Sequence, residues 1–441
     1  MCSLLVHTLA EAEEKPVEFM LSPADRLLIV APHPDDDIIG TGGLIQQAVR
    51  NNIPVKIVYL TNGDSNSLAF LYYKKRPILS RSGALKMGEL RQTEAGQAAG
   101  HLGLKTEDLV FLGYPDFGTL NMIKKYWQAP RPFRSILTRV TQVPYASSPS
   151  YQAPYRPENI FKDIRTLIKD FAPTKVFVTH PADRNPDHQA AFLFVQAALW
   201  SLQGEMAPPD LVTYLVHYTG WPRPLGLHTA ELLQPPAPLR LGQPPWMVLE
   251  LPDEDVTRKK EAVAFHRTQI PYKPQYLFTF VRANELFFHT VPVVLKPAQA
   301  PDEKSYIAQK RTKNGDFILK AVSYGADQER LFVRIHLGQK SLKNLRLDVY
   351  LFGFAKNQPF ESMPKLNLKV NQELELTVLD GKKRLAHTRV DIHRLGSDVL
   401  ITVPFKVLAM PDRMMTFVDL HVQNLPMQST AWQILEVVHG Q

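Results

Sequence analysis

The feature that most constrains this chain is a series of short apolar runs separated by stretches with helical spacing. Arg26-Leu-Leu-Ile-Val-Ala-Pro32, Val55-Lys-Ile-Val-Tyr-Leu60, Leu109-Val-Phe-Leu112 and Lys175-Val-Phe-Val-Thr179 each fit a strand buried on both faces. Between and after them, residues 40–51, 87–102, 157–171 and 190–202 read as helices, the second with Leu90, Ala95, Ala98 and Leu102 at helical intervals. Strand followed by helix, repeated in this way, predicts right-handed crossovers. The expected fold is α/β, a Rossmann-like three-layer arrangement with a mainly parallel sheet and helices on both faces. Such sheets bind ligands just beyond the carboxyl ends of their strands, so the turns after these runs are the places to look for function.

A second pattern begins after about residue 300. Residues 297–304 are rich in proline and charge and read as a linker. Beyond them come short period-two runs at 316–320, 331–337, 345–351, 366–370, 374–379, 399–403, 415–422 and 432–437. Asn314-Gly315 and Asp380-Gly381 supply turn signals. Many short strands of this kind predict an all-β sandwich. The chain therefore divides into a tail over 1–22, an α/β domain over 23–296 and a β-sandwich domain over 305–441.

Composition narrows the function classes. With 44% hydrophobic and 21% charged residues, the chain has the make-up of an ordinary globular protein rather than a disordered one. No run reaches the roughly 18 apolar residues of a membrane span. The net charge of +8 favours anionic surroundings. Its basic clusters, such as Lys124-Lys125 and Lys382-Lys383-Arg384, are scattered, and no nucleic-acid-binding signature accompanies them, so no nucleic-acid partner is expected. The single cysteine, Cys2, excludes internal disulfides and thiolate metal clusters. Leu4-Leu5-Val6 before Ala10-Glu11-Ala12 is like the end of an export signal but too short to be one. The compartment stays open between the cytoplasm and export of a bacterial-type soluble protein with a truncated signal. Oligomeric state is not legible.

Two motifs carry chemistry. Ala31-Pro-His33-Pro-Asp35-Asp36-Asp37 follows the first run, and its three adjacent acids repel one another unless a divalent cation neutralises them. The other reading is a solvated acidic loop that caps the next helix. Thr179-His180-Pro-Ala-Asp183-Arg-Asn185-Pro-Asp187-His188 follows the fourth run and should lie at the same sheet edge. Two such turns can converge on one ion. Imidazole and carboxylate without thiolate suit zinc or another first-row divalent metal, iron(II) included. A His/Asp/His set leaves a coordination position open for water, as catalytic sites do. His180 and Asp183 read as groups that support a ligand or cap the turn.

Taken together, the two motifs resemble those of the LmbE/PIG-L-like family of zinc-dependent N-acetylglucosaminyl deacetylases. The resemblance runs through roughly residues 25–290. It includes Gly40-Thr-Gly42-Gly43, Thr61-Asn-Gly63-Asp64, Arg91-Gln-Thr-Glu94-Ala95, Gly113-Tyr-Pro-Asp116, Lys260-Glu-Ala262 with Gln269, and the stretch from Arg282 to Glu285. It implies that His33, Asp36 and His188 bind zinc. Asp35 would be the general base for metal-bound water attacking an N-acetyl group on an amino sugar, and Asp187 would orient a ring or loop. Arg91 and Asp116 match substrate-binding positions, although a helix-surface arginine paired with Glu94 and a turn aspartate are the alternatives. Trp127, in an aromatic and basic loop over 121–156, suits sugar stacking or loop anchoring. His217 belongs either near the site or in the core. Polysaccharide binding by the β-sandwich domain is a further expectation.

Two positions depart from the family pattern. Asp37 stands where Glu is usual and is expected to support the ligands. Asn185 stands where a histidine beside the oxyanion is expected. Either its amide suffices, or His180 or His217 takes over, or activity is weak.

Overall fold

All four apolar runs lie in one eight-stranded sheet. The computed structural model describes residues 15–65, 80–240, 244–271, 275–296, 318–338, 343–386 and 389–438. In chain order the strands of this sheet are β1 (Val17–Glu18), β2 (Leu27–Ala31), β3 (Val55–Thr61), β4 (Leu109–Tyr114), β5 (Lys175–Thr179), β6 (Asp210–Tyr214), β7 (Met247–Glu250) and β8 (Asn284–His289). They are ordered β1-β7-β8-β6-β5-β2-β3-β4. β2, β3, β4, β5 and β6 run parallel, whereas β8 is antiparallel to both β6 and β7. β6, β7 and β8 thus extend the sheet beyond the four expected strands. Val17–Glu18 adds to its far edge against Met247 and Val248.

Among the described residues, six helices pack with this sheet: α1 (Asp36–Arg50), α2 (Arg81–His101), α3 (Thr119–Lys125), α4 (Pro157–Phe171), α5 (Pro186–Ser201) and α6 (Asp253–Val263). Alternation along β2 explains why helices are needed on both faces. Leu27, Ile29 and Ala31 enter one apolar cluster with α1, α2 and α6, while Leu28 and Val30 enter another with α3, α4 and α5. Chain order reverses at β2. The chain steps outward through β3 and β4, then returns to lay β5 on the other side of β2. The carboxyl ends of β2 and β5 therefore flank the crevice where such sheets hold ligands.

The Gly40-Thr41-Gly42-Gly43 stretch is a packing device. A Cβ at Gly40 would lie 2.4 Å from the Tyr214 ring, and one at Gly43 would lie 2.2 Å from Leu251. α1 is non-helical at Thr41, and the backbone N–H groups of Gly43 and Leu44 donate to Glu285 at 2.7 and 2.9 Å. Lys259 Nζ, equally buried, donates to the same carboxylate at 2.6 Å, so a buried ion pair secures the bend.

The C-terminal region is antiparallel. One sheet orders Leu319–Ala326, Arg330–Leu337, Asp398–Pro404 and Asp391–Leu395. The larger one runs Lys383–Arg384, Leu376–Asp380, Lys365–Val370, Leu345–Phe354, Arg413–Val422, Gln433–Val437 and Val293–Leu295, with Leu425–Ser429 paired to Arg413–Val422. Val293–Leu295, just before the expected boundary, thus belongs to the C-terminal sheet. The expected linker at 297–304 lies outside the described residues, as do residues 1–14 and part of the run at 316–320.

The larger sheet is buried on both faces. Leu347, Val349 and Leu351 share a core with the smaller sheet, while Tyr350, Phe352 and Phe354 pack with Phe161, Phe194 and Trp200 of α4 and α5. The strand's sequence carries that change: Leu345-Arg-Leu-Asp alternates with polar residues, and 349–354 does not. Among the described residues, no helix is long and apolar enough to cross a membrane.

Candidate metal centre

His33 leaves the end of β2, Asp36 opens α1, and His188 lies in the first turn of α5. Their donor atoms form a nearly equilateral triangle. His33 Nδ1 is 3.0 Å from Asp36 Oδ2, His188 Nε2 is 3.1 Å from the same oxygen, and the two nitrogens are 3.2 Å apart. Bonds of 2.0–2.1 Å in a tetrahedral site separate ligand atoms by about 3.3 Å, so the three donors fit one small divalent ion. All three residues are buried.

The remaining ring nitrogens fix which edge of each imidazole faces the triangle. His188 Nδ1 lies 3.1 Å from Asp183 Oδ2. His33 Nε2 lies 3.2 Å from Asp116 Oδ1 and 3.4 Å from Asp187 Oδ2. A carboxylate behind each ring orients it and raises its basicity, as in well-built metal sites. These carboxylates are held in turn. Asp183 accepts the backbone N–H groups of Val216 and His217 at 3.1 and 2.8 Å. Asp187 accepts the backbone N–H of Phe117 at 2.6 Å and both the N–H and the hydroxyl of Thr119.

The charges follow from this packing. Burial opposes ionisation of Asp36, yet His188 and His33 hold its carboxyl well below the usual range. Burial lowers His188, but Asp183 and Asp36 outweigh it and raise the ring to about 9. His33 is raised well above its usual value, because Asp116, Asp187 and Asp36 overcome its burial. Two imidazoles that favour a positive charge around one carboxylate mark a place that suits a cation.

Asp35 stands beside the triangle. Burial lifts its carboxyl to about 6; Arg91 acts against that shift and Asp36 with it. Arg91 Nη2 is 3.2 Å from Asp35 Oδ1 and also donates to Pro34 O, while Nη1 donates to Gly63 O at 3.0 Å. Arg91 is thus a buried clasp on the first turn, not a surface partner of Glu94, which accepts from Thr268 instead. Asp116 accepts from Ser65 N–H at 2.8 Å and faces His33. Asp37 accepts from the Tyr59 hydroxyl at 2.7 Å, and burial lifts it to about 7.

The structure separates the remaining expected site residues. His217 lies beside His188, with ring centroids 4.7 Å apart, and stacks on Tyr276. The Tyr276 hydroxyl lies 3.0 Å from Val216 O and 2.8 Å from His217 Nδ1. Burial, with the neighbouring His188 charge, holds that ring neutral, down to about 4. Asn185 caps α5: its side-chain oxygen accepts Asp187 N–H at 2.8 Å, which leaves its amide NH2 as a donor.

Two alternatives are decided by position. His180 caps the turn and does not back a ligand: its Nδ1 accepts Ala182 N–H at 3.0 Å, its ring stacks on Trp246 and lies tilted against Phe288, and burial pushes its pKa to about 3. Trp127 is the loop anchor rather than a sugar platform: its indole N–H bonds Ile123 O, and its ring packs on Phe161, Phe194 and Phe360.

Tyr59, Thr119, Tyr276 and His266 escaped sequence reasoning. The first three are hydroxyl groups whose partners are distant in sequence. His266 is fully buried with both ring nitrogens unpaired, and Asn62, in the turn after β3, has an equally unpaired amide. Burial and the nearby Arg91 charge push His266 to about 3. The only sequence signal was proximity to the Gln269 and Thr61-Asn-Gly63-Asp64 segments.

An α/β sheet that gathers two imidazoles and a carboxylate at the point where its strand order reverses forms a site that could hold a divalent metal. Residues 28–199, which span both turns, match the family model described as PIG-L: GlcNAc-PI de-N-acetylase. The match takes in less than half of the chain and makes this segment similar to that family. No curated protein matches the chain.

Solved structures with similarity include a conserved protein from Thermus thermophilus, at 21% identity over 63% of this chain and 99% of that one, with a TM-score of 0.37. Another is N,N'-diacetylchitobiose deacetylase from Pyrococcus horikoshii, at 19% identity over 56% and 70%, TM-score 0.34. A third is the A40926 pseudoaglycone deacetylase, at 16% identity over 60% and 96%, TM-score 0.39.

Proposed function

We propose that the chain removes the N-acetyl group from an N-acetylglucosamine-containing glycoside or saccharide, releasing acetate and a free amine. The observation that carries this reading is the donor triangle of His33, Asp36 and His188, backed by Asp183 and Asp187. These three side chains would hold zinc or iron(II). A divalent ion bound there makes water more acidic and polarises a carbonyl. We also read the α/β region as Rossmann-like and the paired C-terminal sheets as a sandwich.

Asp35 is the general base. Its carboxyl, near 6, is poised to exchange a proton close to neutral pH. It takes a proton from water as the water oxygen bonds to the acetyl carbon, and returns it to nitrogen as the C–N bond breaks. Arg91 keeps the carboxylate in place through this exchange. The free amide NH2 of Asn185 is the donor on the second turn for the developing oxyanion.

The test is acetate release from N-acetylglucosaminides of increasing length, with and without a chelator. Chelator-sensitive release is expected, and Asp35→Asn should slow it by about 10²–10⁴ while the metal stays bound. Saccharide binding without release from any substrate would overturn the reading in favour of a carbohydrate-binding protein.

A further inference from the structure

The second metal-site turn is gripped by a residue far outside the segment that matches the family. Trp432 reaches it twice. Its indole N–H donates to Gln189 Oε1 at 3.0 Å, and its backbone N–H donates to Pro181 O at 3.1 Å. Gln189 follows His188 directly, and its own amide donates to Asp183 O at 3.0 Å. Asp183 is the carboxylate that orients His188. An unbroken path of hydrogen bonds therefore runs from the indole through Gln189 and Asp183 to the His188 ring.

The other end of Trp432 is immobilised. Its ring stacks on Phe417 with centroids 4.9 Å apart and contacts Phe352 at 5.3 Å. Only 2% of the residue is exposed. The Lys124 ammonium lies 5.6 Å from the ring and closer still to Tyr350 and Phe417, at 4.1 and 4.8 Å. Lys124 belongs to α3, whose first residue, Thr119, holds Asp187 behind His33. One aromatic cluster of the C-terminal sheet thus bears on the supports of both histidines.

We propose that Trp432 is a positioning residue for the candidate metal centre: it fixes the 180–189 turn through Gln189 and so sets the orientation of His188. This rests on the metal reading above. A buried side chain linked to a ligand's own support acts on metal affinity, and partners of that kind are worth about 10–100-fold. Trp432 stands one step further out, so a smaller effect is expected. Its consequence is that the C-terminal region supports the site instead of merely accompanying it.

The experiment uses the full chain with Trp432→Phe, which keeps the ring and removes the indole donor. Phe354→Leu, at the Trp200 end of the same interface, serves as the control. Amide hydrogen exchange is followed across 180–189, and zinc affinity is measured by competition with a chromogenic chelator. Trp432→Phe should raise exchange in this turn about fivefold and weaken zinc binding about three- to tenfold. Phe354→Leu should lower Tm while leaving both readings at wild-type values. Gln189→Met combined with Trp432→Phe should be no worse than the worse single variant.

Unchanged exchange in Trp432→Phe overturns the proposal, and so does zinc affinity within twofold of wild type. Equal effects from Phe354→Leu would reduce Trp432 to general packing and overturn it too. If the wild-type chain binds no zinc, the metal reading fails separately, and exchange alone decides whether Trp432 fixes the turn.

Discussion

The turn after β2 supplies two corners of the donor triangle and the turn after β5 supplies one, and the two turns are held by different parts of the molecule. The first turn is secured from within the α/β region. Arg91 clasps Asp35 and Pro34 O, Tyr59 holds Asp37, and Thr61 N–H bonds Pro32 O at 3.0 Å. The second is held partly from outside it, by Trp432 on Pro181 and Gln189 and by Ser429, whose hydroxyl accepts from Arg184 Nη1 at 3.2 Å. A small α/β sheet can supply both halves of a metal site, but the rigidity of one half here comes from a second region. Support for this candidate centre thus comes from both regions, although residues 28–199 contain all three donors.

Direct substitution of ligands should erase the difference between the turns. His33→Ala and His188→Ala are each expected to weaken zinc binding by at least about 100-fold, measured as bound metal per chain after dialysis. A large disparity between them would show that the two histidines are unequal corners of the triangle. One step out, Asp183→Asn and Asp187→Asn should each cost about 10–100-fold in zinc affinity by competitive titration. Each carboxylate also holds backbone N–H groups, Asp183 those of Val216, His217 and Asn185 and Asp187 those of Phe117 and Thr119, so both substitutions should lower Tm, and an unchanged melt for either would contradict that support.

The C-terminal grip offers a pH test. Lys365 is buried against the Phe360 ring and donates to Phe360 O and Met363 O. Burial pushes its ammonium down to about 7, whereas a lysine in an unfolded chain titrates near 10.4. Between those values the unfolded chain carries the extra proton, so stability rises with pH across the window, by on the order of 4 kcal/mol. Thermal melts from pH 7 to 10 should show the rise, and Lys365→Met should flatten it. The smallest effect is expected at Asn185. Its replacement by Ala removes a helix cap worth about 1 kcal/mol in the melt, which sharpens how much of the second turn is held by its own chain.

The two turns were legible because their chemistry is local. Pro, His and Asp clustered after an apolar run announce a site whatever surrounds it. The reversal at β2 was not legible, since it depends on which strands pair across more than a hundred residues. Trp127 was misplaced for a related reason: an aromatic residue among lysines and arginines has the same sequence environment whether it stacks on a sugar or on Phe360. For His180 the sequence left a support and a turn cap open, and only the folded turn, with Ala182 N–H on its Nδ1 and the Trp246 and Phe288 rings around it, decides for the cap. The C-terminal strands were legible by their alternation. Their second buried face was written in residues 349–354, where the alternation stops, but what covers that face lay in helices read as a different domain.

The bond from Trp432 to Gln189 spans 243 residues. At typical synthesis rates of about 5–20 residues per second, the second turn leaves the ribosome roughly 10–50 s before its clamp exists. Through that interval Phe161, Phe194 and Trp200 have no sheet to cover them, and His188 lacks its full support. The nascent chain therefore carries that uncovered apolar face until the C-terminal strands have been made, and the candidate donor set gains its full support only once Trp432 has been added.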